Sequence, residues 1–328
     1  MRAVQISELS GPGAVSVVDV AEPTTDHMLT PGAGVVIDVR AAGVSFPDVL
    51  QTRGEYQYKP ELPFVPGAEV AGVVRASSDG TGFAPGDRVA GFSFLGGMAE
   101  LAVAPAFLTV TLPKALDFAQ GAALLLNYHT AYFALKLRGR LAEGETVLVH
   151  GAAGGVGTAT LQVAKGLGAG RTFAVVSSDE KEKIAREAGA DEVVRSDGPW
   201  REEVVERSGG GVDVVLDPVG GDRFTDSIRA LREDGRIIVV GFTGGSIPEV
   251  KVNRLLLKNT EVVGAGWGGY VMGKPDLCRE IGAAVNRMVD DGVVRPIVGA
   301  RFGLEDVGQA LTLIDSRVAT GKVVLEMA

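Results

Sequence analysis

The residues with the clearest chemical consequence lie in LVHGAAGGVGTATLQVAK, residues 148–165. Here Ala152, Gly154 and Gly157 form an A-x-G-x-x-G pattern, with Gly155 and Val156 completing the turn, between an apolar strand-like run and a helix-like run. Small residues at these positions let the chain turn sharply and let a ligand approach backbone N–H groups. The helix that follows begins with unpaired donors and the positive end of its dipole, an arrangement suited to a pyrophosphate. A tight turn that serves only helix–sheet packing has the same composition, so the surrounding elements must decide.

The next chemically informative position is the end of the second strand. In a dinucleotide-binding unit that strand tip meets the adenosine ribose about twenty residues past the last glycine, and an NAD site carries Asp or Glu there. In this chain the strand ends AVVSSDEK, with Val176 and Ser177 at the tip and Lys181 a turn later. A hydroxyl and a cation suit a 2′-phosphate, so the missing acidic residue favours NADPH over NADH, and Arg195 after the third strand would add charge. Ser177 with Glu180 is also a capping-box pattern that needs no ligand. Asp179 and Glu180 would offset part of the Lys181 charge.

The elements that must position these residues can be read from periodicity. From residue 146 strand-like and helical segments alternate: TVLVH (146–150), TATLQVAKGLG, RTFAVVS (171–177), DEKEKIAREAGA (179–190), EVV (192–194), WREEVVERSG, VDVVLD (212–217), FTDSIRALRED (224–234) and RIIVVG (236–241). Such alternation predicts an α/β fold with a doubly wound parallel sheet. Runs such as VVLD and IIVV lack a polar face, as strands covered on both sides do. The first 110 or so residues instead read as short strands at Gly/Pro turns, among them 35–44, 70–76 and 87–93, which predicts a small β-rich barrel or sandwich. Between the two, FAQGAALLLNYHTAYFALKL (118–137) predicts one largely buried helix, and LEDVGQALTLIDS (304–316) an amphipathic helix before a last strand, KVVLEM.

Composition narrows the class further. A chain of 328 residues is long for one core. Its 46 glycines are roughly twice the usual share and follow no period, as expected from many tight turns. The formal charge of −9 gives no electrostatic footprint for nucleic acid or anionic lipid. Cys278 is the only cysteine, so no intrachain disulfide can form. The start MRAVQISEL runs straight into a strand-like pattern without a charged leader and apolar stretch, and no run of apolar residues is long enough to span a membrane. The expectation is a cytoplasmic protein.

Taken in order, AAGVSFPDVLQTRGEY, PGAEVAGVV, APGDRVAGF, NYHTAYFAL, VLVHGAAGGVGTATLQVAKGLGA, VDVVLDPVGG, GRIIVVGF and TGKVVL cover nearly the whole chain. This series resembles the zinc-free quinone oxidoreductases of the medium-chain dehydrogenase/reductase superfamily. The resemblance implies a GroES-like catalytic domain built from 1–122 and 266–328 around a Rossmann domain at 123–265. It also implies an active-site cleft between the domains, NADPH as hydride donor, and a homodimer. Zinc-dependent relatives carry G-H-E, whereas this chain has Gly67-Ala68-Glu69, and His27, His129 and His150 have no metal-like spacing. No metal is therefore expected.

The resemblance also assigns candidate roles. The turn GVSFPD contributes polar groups beside the nicotinamide, which makes Ser45, Asp48 and, just beyond, Tyr56 the catalytic candidates; many relatives have Asn in place of Ser45. Asp48 as a plain helix cap and Tyr56 as a packing residue are the alternatives. Thr130, Gly241, Phe242 and Lys322 match positions near the cofactor, with structural roles as alternatives for Thr130 and Lys322. His129, in a helix beside Tyr128 and Tyr132, is not among the candidates. The reaction implied is NADPH-dependent reduction of a quinone by hydride transfer from nicotinamide C4. The competing readings are reduction of an enone, alkenal or enoyl-thioester double bond, and a non-catalytic NADPH-binding structural or RNA-binding protein. The strand near TEVVGAG (260–266) is an apolar edge expected to pair in the dimer.

Overall fold

The computed structural model describes residues 1–327. The chain forms two compact units, one made of Met1–Leu126, Gly273–Asn286 and the segment from Pro296 onward, the other of Asn127–Met272 and Arg287–Arg295.

In the first unit the long strand Gly34–Val44 organises a seven-stranded sheet. It pairs antiparallel with Glu69–Ser77 and Leu101–Pro105, and also with Lys322–Glu326 near the C-terminus, where Val323 lies opposite Val44. Both ends of the chain therefore build one core, with Val35, Ile37, Val39 and Val44 packed among Val70, Val89, Leu311, Val323 and Leu325. A short helix, Phe46–Gln51, follows the long strand, and Val307–Asp315 precedes the last one.

The second unit carries a six-stranded parallel sheet. Its strands are β1 (Thr146–Val149), β2 (Arg171–Val176), β3 (Glu192–Arg195), β4 (Val212–Asp217), β5 (Leu231–Val239) and β6 (Glu261–Gly264), in the spatial order β3-β2-β1-β4-β5-β6. Helices α1 (Gly155–Gly166), α2 (Asp179–Glu187), α3 (Trp200–Ser208) and α4 (Phe224–Ala230) alternate with the first five strands. The order reverses at β1, so the edge beyond the carboxyl ends of β1 and β4 is where such a sheet takes ligands. Val147, Leu148, Val149, Val214, Val215 and Leu216 are fully enclosed. Each such side chain contributes about 1.5–3 kcal/mol by burial. The segment 287–295 belongs to this unit because Gln162 of α1 donates to the Arg295 carbonyl at 3.0 Å and accepts its N–H at 2.8 Å.

Three local expectations change. The segment read as one helix over 118–137 is a short α-turn, Phe118–Gly121, followed from Leu125 by a helix with two π-helical stretches, Leu125–His129 and Phe133–Arg138. The Leu126 N–H is drawn to the Glu69 carboxylate at 2.8 Å instead of continuing the earlier turn. The helix read over 224–234 ends at Ala230, and β5 begins at Leu231, opposite Val212. Leu231 takes an extended conformation at ψ 144°, which ends the helix where composition alone reads as helical, and Asp234 follows within the strand in the left-handed region at φ 58°. The cap of α2 is Ser178, whose hydroxyl accepts the Lys181 N–H at 3.3 Å, so Ser177 is not the cap.

Candidate functional site

In the second unit the A-x-G-x-x-G turn joins β1 to α1. A methyl group at Gly157 would overlap the Gly151 carbonyl oxygen and lie 2.6 Å from Ala152 Cα. The turn thus closes only because that position has no side chain. Ala152 is fully buried beneath it, while Gly154, Gly155 and Val156 are partly open. Gly154 is the N-cap residue of α1 and brings no side-chain cap. The first-turn N–H groups therefore keep their hydrogen-bonding capacity for an external acceptor, reinforced by the helix dipole. Asn127 lies over this turn, its Nδ2 2.6 Å from where a Gly155 Cβ would be.

At the tip of β2 the structure brings Ser177, Lys181 and Arg195 together. Lys181 Nζ donates to Ser177 Oγ at 3.3 Å, and Arg195 Nη2 donates to the Ser177 carbonyl at 3.0 Å. Partial burial draws the Lys181 ammonium below the usual lysine range, opposed by the Glu180 charge. Arg195 is ion-paired with Asp179 and lies 3.3 Å from Asp197, so two carboxylates offset its charge. Lys181 with the Ser177 hydroxyl is the better anion-binding pair.

The carboxyl ends of β4 and β5 are tied to each other. Asp217 accepts the Val219 and Gly220 N–H groups at 2.8 and 2.9 Å, and Thr243 N–H donates to the Pro218 carbonyl at 3.1 Å. Gly241 lies in this connection, and Phe242 is partly exposed beside Gly220. Thr130 is buried between the two π-helical stretches. His129 is enclosed edge-on to Trp267 at 5.6 Å, and burial pushes its imidazole down to about 3. A ring held neutral to that extent is a poor acid near pH 7.

In the first unit Ser45, Asp48 and Lys322 converge on Glu69, a residue that sequence reading did not single out. Lys322 Nζ pairs with Glu69 Oε1 and donates to Ser45 Oγ at 2.6 Å. Glu69 Oε2 accepts the Leu126 N–H at 2.8 Å. Lys322 and Glu69 are both almost completely buried, which is tolerable only because each charge is paired and hydrogen-bonded. Gly43 makes the space, since a methyl there would come within 2.6 Å of Lys322 Cε and 2.7 Å of Glu69 Cγ. The only sequence signal was Glu69 itself, an acid in an otherwise apolar strand, EVAGVV.

Asp48 is buried at the start of its helix, where its carboxylate accepts the Ser45 N–H at 2.7 Å. Burial pushes Asp48 up to about 6, opposed by the Ser45 and Gly67 N–H groups and the Lys322 ammonium and aided by the Glu69 charge. The cap alternative for Asp48 is thus what its hydrogen bond makes of it. Tyr56 is half-buried, and burial together with the Asp48 charge raises its phenol above the usual tyrosine value. It therefore keeps its proton near neutral pH and can donate it in a hydrogen bond.

Comparison with known proteins places these features in a family context. A family profile described as "Alcohol dehydrogenase GroES-like domain" matches residues 31–114, and one described as "Zinc-binding dehydrogenase" matches residues 155–283. The chain is 38% identical to quinone oxidoreductase-like protein 2 of Bos taurus, over 99% of this chain and 92% of that protein. A probable oxidoreductase from Mycobacterium abscessus shares its structure with a TM-score of 0.88 at 44% identity, covering 99% of each chain. The quinone oxidoreductase of Thermus thermophilus, whose complex with NADPH has been solved, gives a TM-score of 0.85 at 32% identity, covering 99% of this chain and 100% of that one.

The buried Asp48 has a consequence for stability. Its folded-state value of about 6 lies above the ordinary 3.8, so the folded protein holds this proton more tightly than the unfolded chain. The resulting stabilisation is complete below about pH 4 and is lost as pH rises through about 6, a change on the order of 3 kcal/mol. Asp48→Asn removes this titration. Denaturant unfolding should show the stability difference, variant minus wild type, rising by about that amount between roughly pH 4 and pH 7. A difference independent of pH would contradict the assignment.

Proposed function

The chain belongs to the quinone oxidoreductase family of the medium-chain dehydrogenase/reductases, and on that premise we propose that it reduces quinones with NADPH, without zinc, by hydride transfer. The observation that carries the reading is the pairing of an uncapped glycine-rich helix start with a hydroxyl–cation pair at the tip of the adjacent strand. The residues fit the cofactor. Ala152, Gly154, Gly155, Val156 and Gly157 would hold its pyrophosphate through backbone N–H groups. Ser177 and Lys181, with Arg195 behind them, would hold its 2′-phosphate. Thr130, Gly241 and Phe242 are the further candidates for its nicotinamide half. When bound, NADPH supplies the hydride from nicotinamide C4.

The residues do not fit zinc. Ala68 stands in the Gly67-Ala68-Glu69 signature, and Glu69 is taken up by Lys322 and the Leu126 N–H. Among the described residues no three His, Cys, Asp or Glu side chains come together as a metal-binding group. Lys322 itself is read as a positioning residue: its ammonium faces Glu69 and Ser45.

Reduction of a quinone develops negative charge on its oxygen, which hydroxyl donors stabilise. Ser45 Oγ accepts from the Lys322 ammonium, which polarises the Ser45 hydroxyl and leaves its proton for donation outward. Tyr56 keeps its phenolic proton and can donate in the same way. Asp48 holds the backbone of this turn in place. Of the two hydrogens of the hydroquinone, one would arrive as the hydride and the other as a single proton, drawn from solvent.

We also propose a homodimer joined at β6, the edge strand of its sheet, where Val262 is 40% exposed. Ile247, Val252, Leu256 and Leu257 extend the exposed apolar surface of the same unit. Among the described residues no helix is long and apolar enough to cross a membrane. The single cysteine fits a reducing cytoplasm.

Loss of reduced-nicotinamide absorbance in the presence of an ortho-quinone should be faster with NADPH than with NADH. Lys181→Ala should weaken NADPH binding about tenfold and leave NADH binding unchanged. Equal use of both nucleotides by the wild type would overturn the 2′-phosphate assignment, and reaction with a simple enone alone would move the activity to double-bond reduction. The combined substitution Ser45→Ala and Tyr56→Phe should lower kcat by roughly tenfold or more with NADPH affinity retained; wild-type turnover would remove both residues from the site. Sedimentation at micromolar concentration should give a dimer that Val262→Lys dissociates, and a wild-type monomer would refute the β6 interface.

A further inference from the structure

The π-helical stretch Leu125–His129 places consecutive polar residues in an apolar environment, and their fates differ. Tyr128 is fully buried and its hydroxyl donates to Gln162 Oε1 of α1 at 3.0 Å. That bond fixes the rotation of the helix against α1. Asn127, one residue earlier, is then turned onto the start of α1. It is 5% exposed, and its whole amide group sits over Gly155: Nδ2 lies 2.6 Å, and Cγ and Oδ1 each 3.1 Å, from a Cβ built at that glycine. No hydrogen bond joins this amide to another described residue.

Neither polar atom of this amide is among the fully enclosed ones without a partner, so the group keeps some access from outside and can meet a ligand. π-helical turns, which insert an extra residue and re-aim the side chains around it, occur frequently at functional sites. The amide also lies beside the first-turn N–H groups of α1, which have no side-chain cap. Two independent features, an uncapped helix start and an unpartnered amide turned onto it, therefore address the same point in space.

Which part of a ligand they address follows from the sheet order. Ser177 and Lys181 lie at the tip of β2, on one side of β1. The helix bearing Asn127 runs to the other side. It ends at Arg138, and the Gly139 that follows packs on Ile238 of β5, with its carbonyl accepting from Arg236 of the same strand. A dinucleotide whose adenosine end is at β2 therefore presents its nicotinamide-side phosphate, rather than its adenosine-side phosphate, to Asn127.

We propose that Asn127 is a cofactor-binding residue whose amide Nδ2–H donates to the nicotinamide-side phosphate oxygen of NADPH, beside the backbone N–H groups at the start of α1. This rests on the NADPH reading above and adds to it a side-chain contact outside the glycine-rich motif. The chemistry is a neutral donor to a charged oxygen, in a pocket where an acidic side chain would be repelled.

The test is equilibrium binding to the full-length protein, followed by fluorescence of the reduced nicotinamide or by calorimetry. The probes are NADPH and 2′,5′-ADP, which keeps the adenosine, the 2′-phosphate and the 5′-phosphate but lacks the nicotinamide-side phosphate. Asn127→Ala should raise the Kd for NADPH about tenfold and change that for 2′,5′-ADP less than about twofold. Asn127→Asp should weaken NADPH further, because like charges then face each other. Thermal unfolding of each variant in the absence of nucleotide separates loss of the contact from loss of the fold. NADPH binding unchanged in both variants, or an equal loss for both probes, would overturn the role of Asn127. Failure of the wild type to bind NADPH at all would overturn the cofactor reading and the Asn127 contact with it.

Discussion

The structure of the second unit depends on one close approach, that of the Gly157 backbone to Gly151 and Ala152. Because no side chain intervenes there, α1 can begin directly beneath the end of β1, with its first N–H groups facing outward. The remaining features of the site follow from that start. β2 leaves the sheet next to it and carries Ser177 and Lys181. The helix before β1 lies against α1 through Tyr128 and Gln162 and brings Asn127 over Gly155. Any side chain at position 157 would push the strand and helix apart and dissolve this geometry at its base.

The first unit has its own constraint of comparable weight, the buried pair of Lys322 and Glu69. Two charges removed from water are expensive, and removing either partner would strand the other. Their retention is coupled to three other positions: Gly43, which leaves room; Ser45, which accepts from the ammonium; and Leu126, whose N–H takes the second carboxylate oxygen. The pair joins the last strand of the chain to a strand formed early in it, so residues more than 250 positions apart define one polar centre (277 between Ser45 and Lys322, 253 between Glu69 and Lys322). A cation supplied by the chain itself stands beside the carboxylate. Both oxygens of Glu69 are thus engaged, one by the ammonium and one by the Leu126 N–H.

Much of the architecture was legible in the sequence, because a parallel sheet needs strands apolar on both faces, and VLV, VVLD and IIVV can be little else. The alternation of segments in 146–241 carried the doubly wound sheet, and the small residues of 152–157 carried the turn. What was not legible depended on tertiary context. LRED reads as helix until Leu231 finds Val212 as a strand partner. The choice between Ser177 and Ser178 as helix cap turns on one residue of register, and only the structure shows that Ser178 caps while Ser177 meets Lys181. The π-helical stretches leave no trace in an apolar run, and neither Asn127 over Gly155 nor Lys322 against Glu69 is visible without the fold. Lys322, expected near the cofactor, pairs its ammonium with Glu69 and Ser45.

The proposed reaction is hydride transfer from NADPH to a quinone. Its most direct test is a single-turnover reaction with an ortho-quinone, comparing NADPH with NADPH deuterated at nicotinamide C4. Nicotinamide oxidation should be slowed several-fold by the deuterium and should yield the hydroquinone in one two-electron step. Tight binding of both nucleotides with no oxidation by the quinone, or oxidation insensitive to the label, would contradict it.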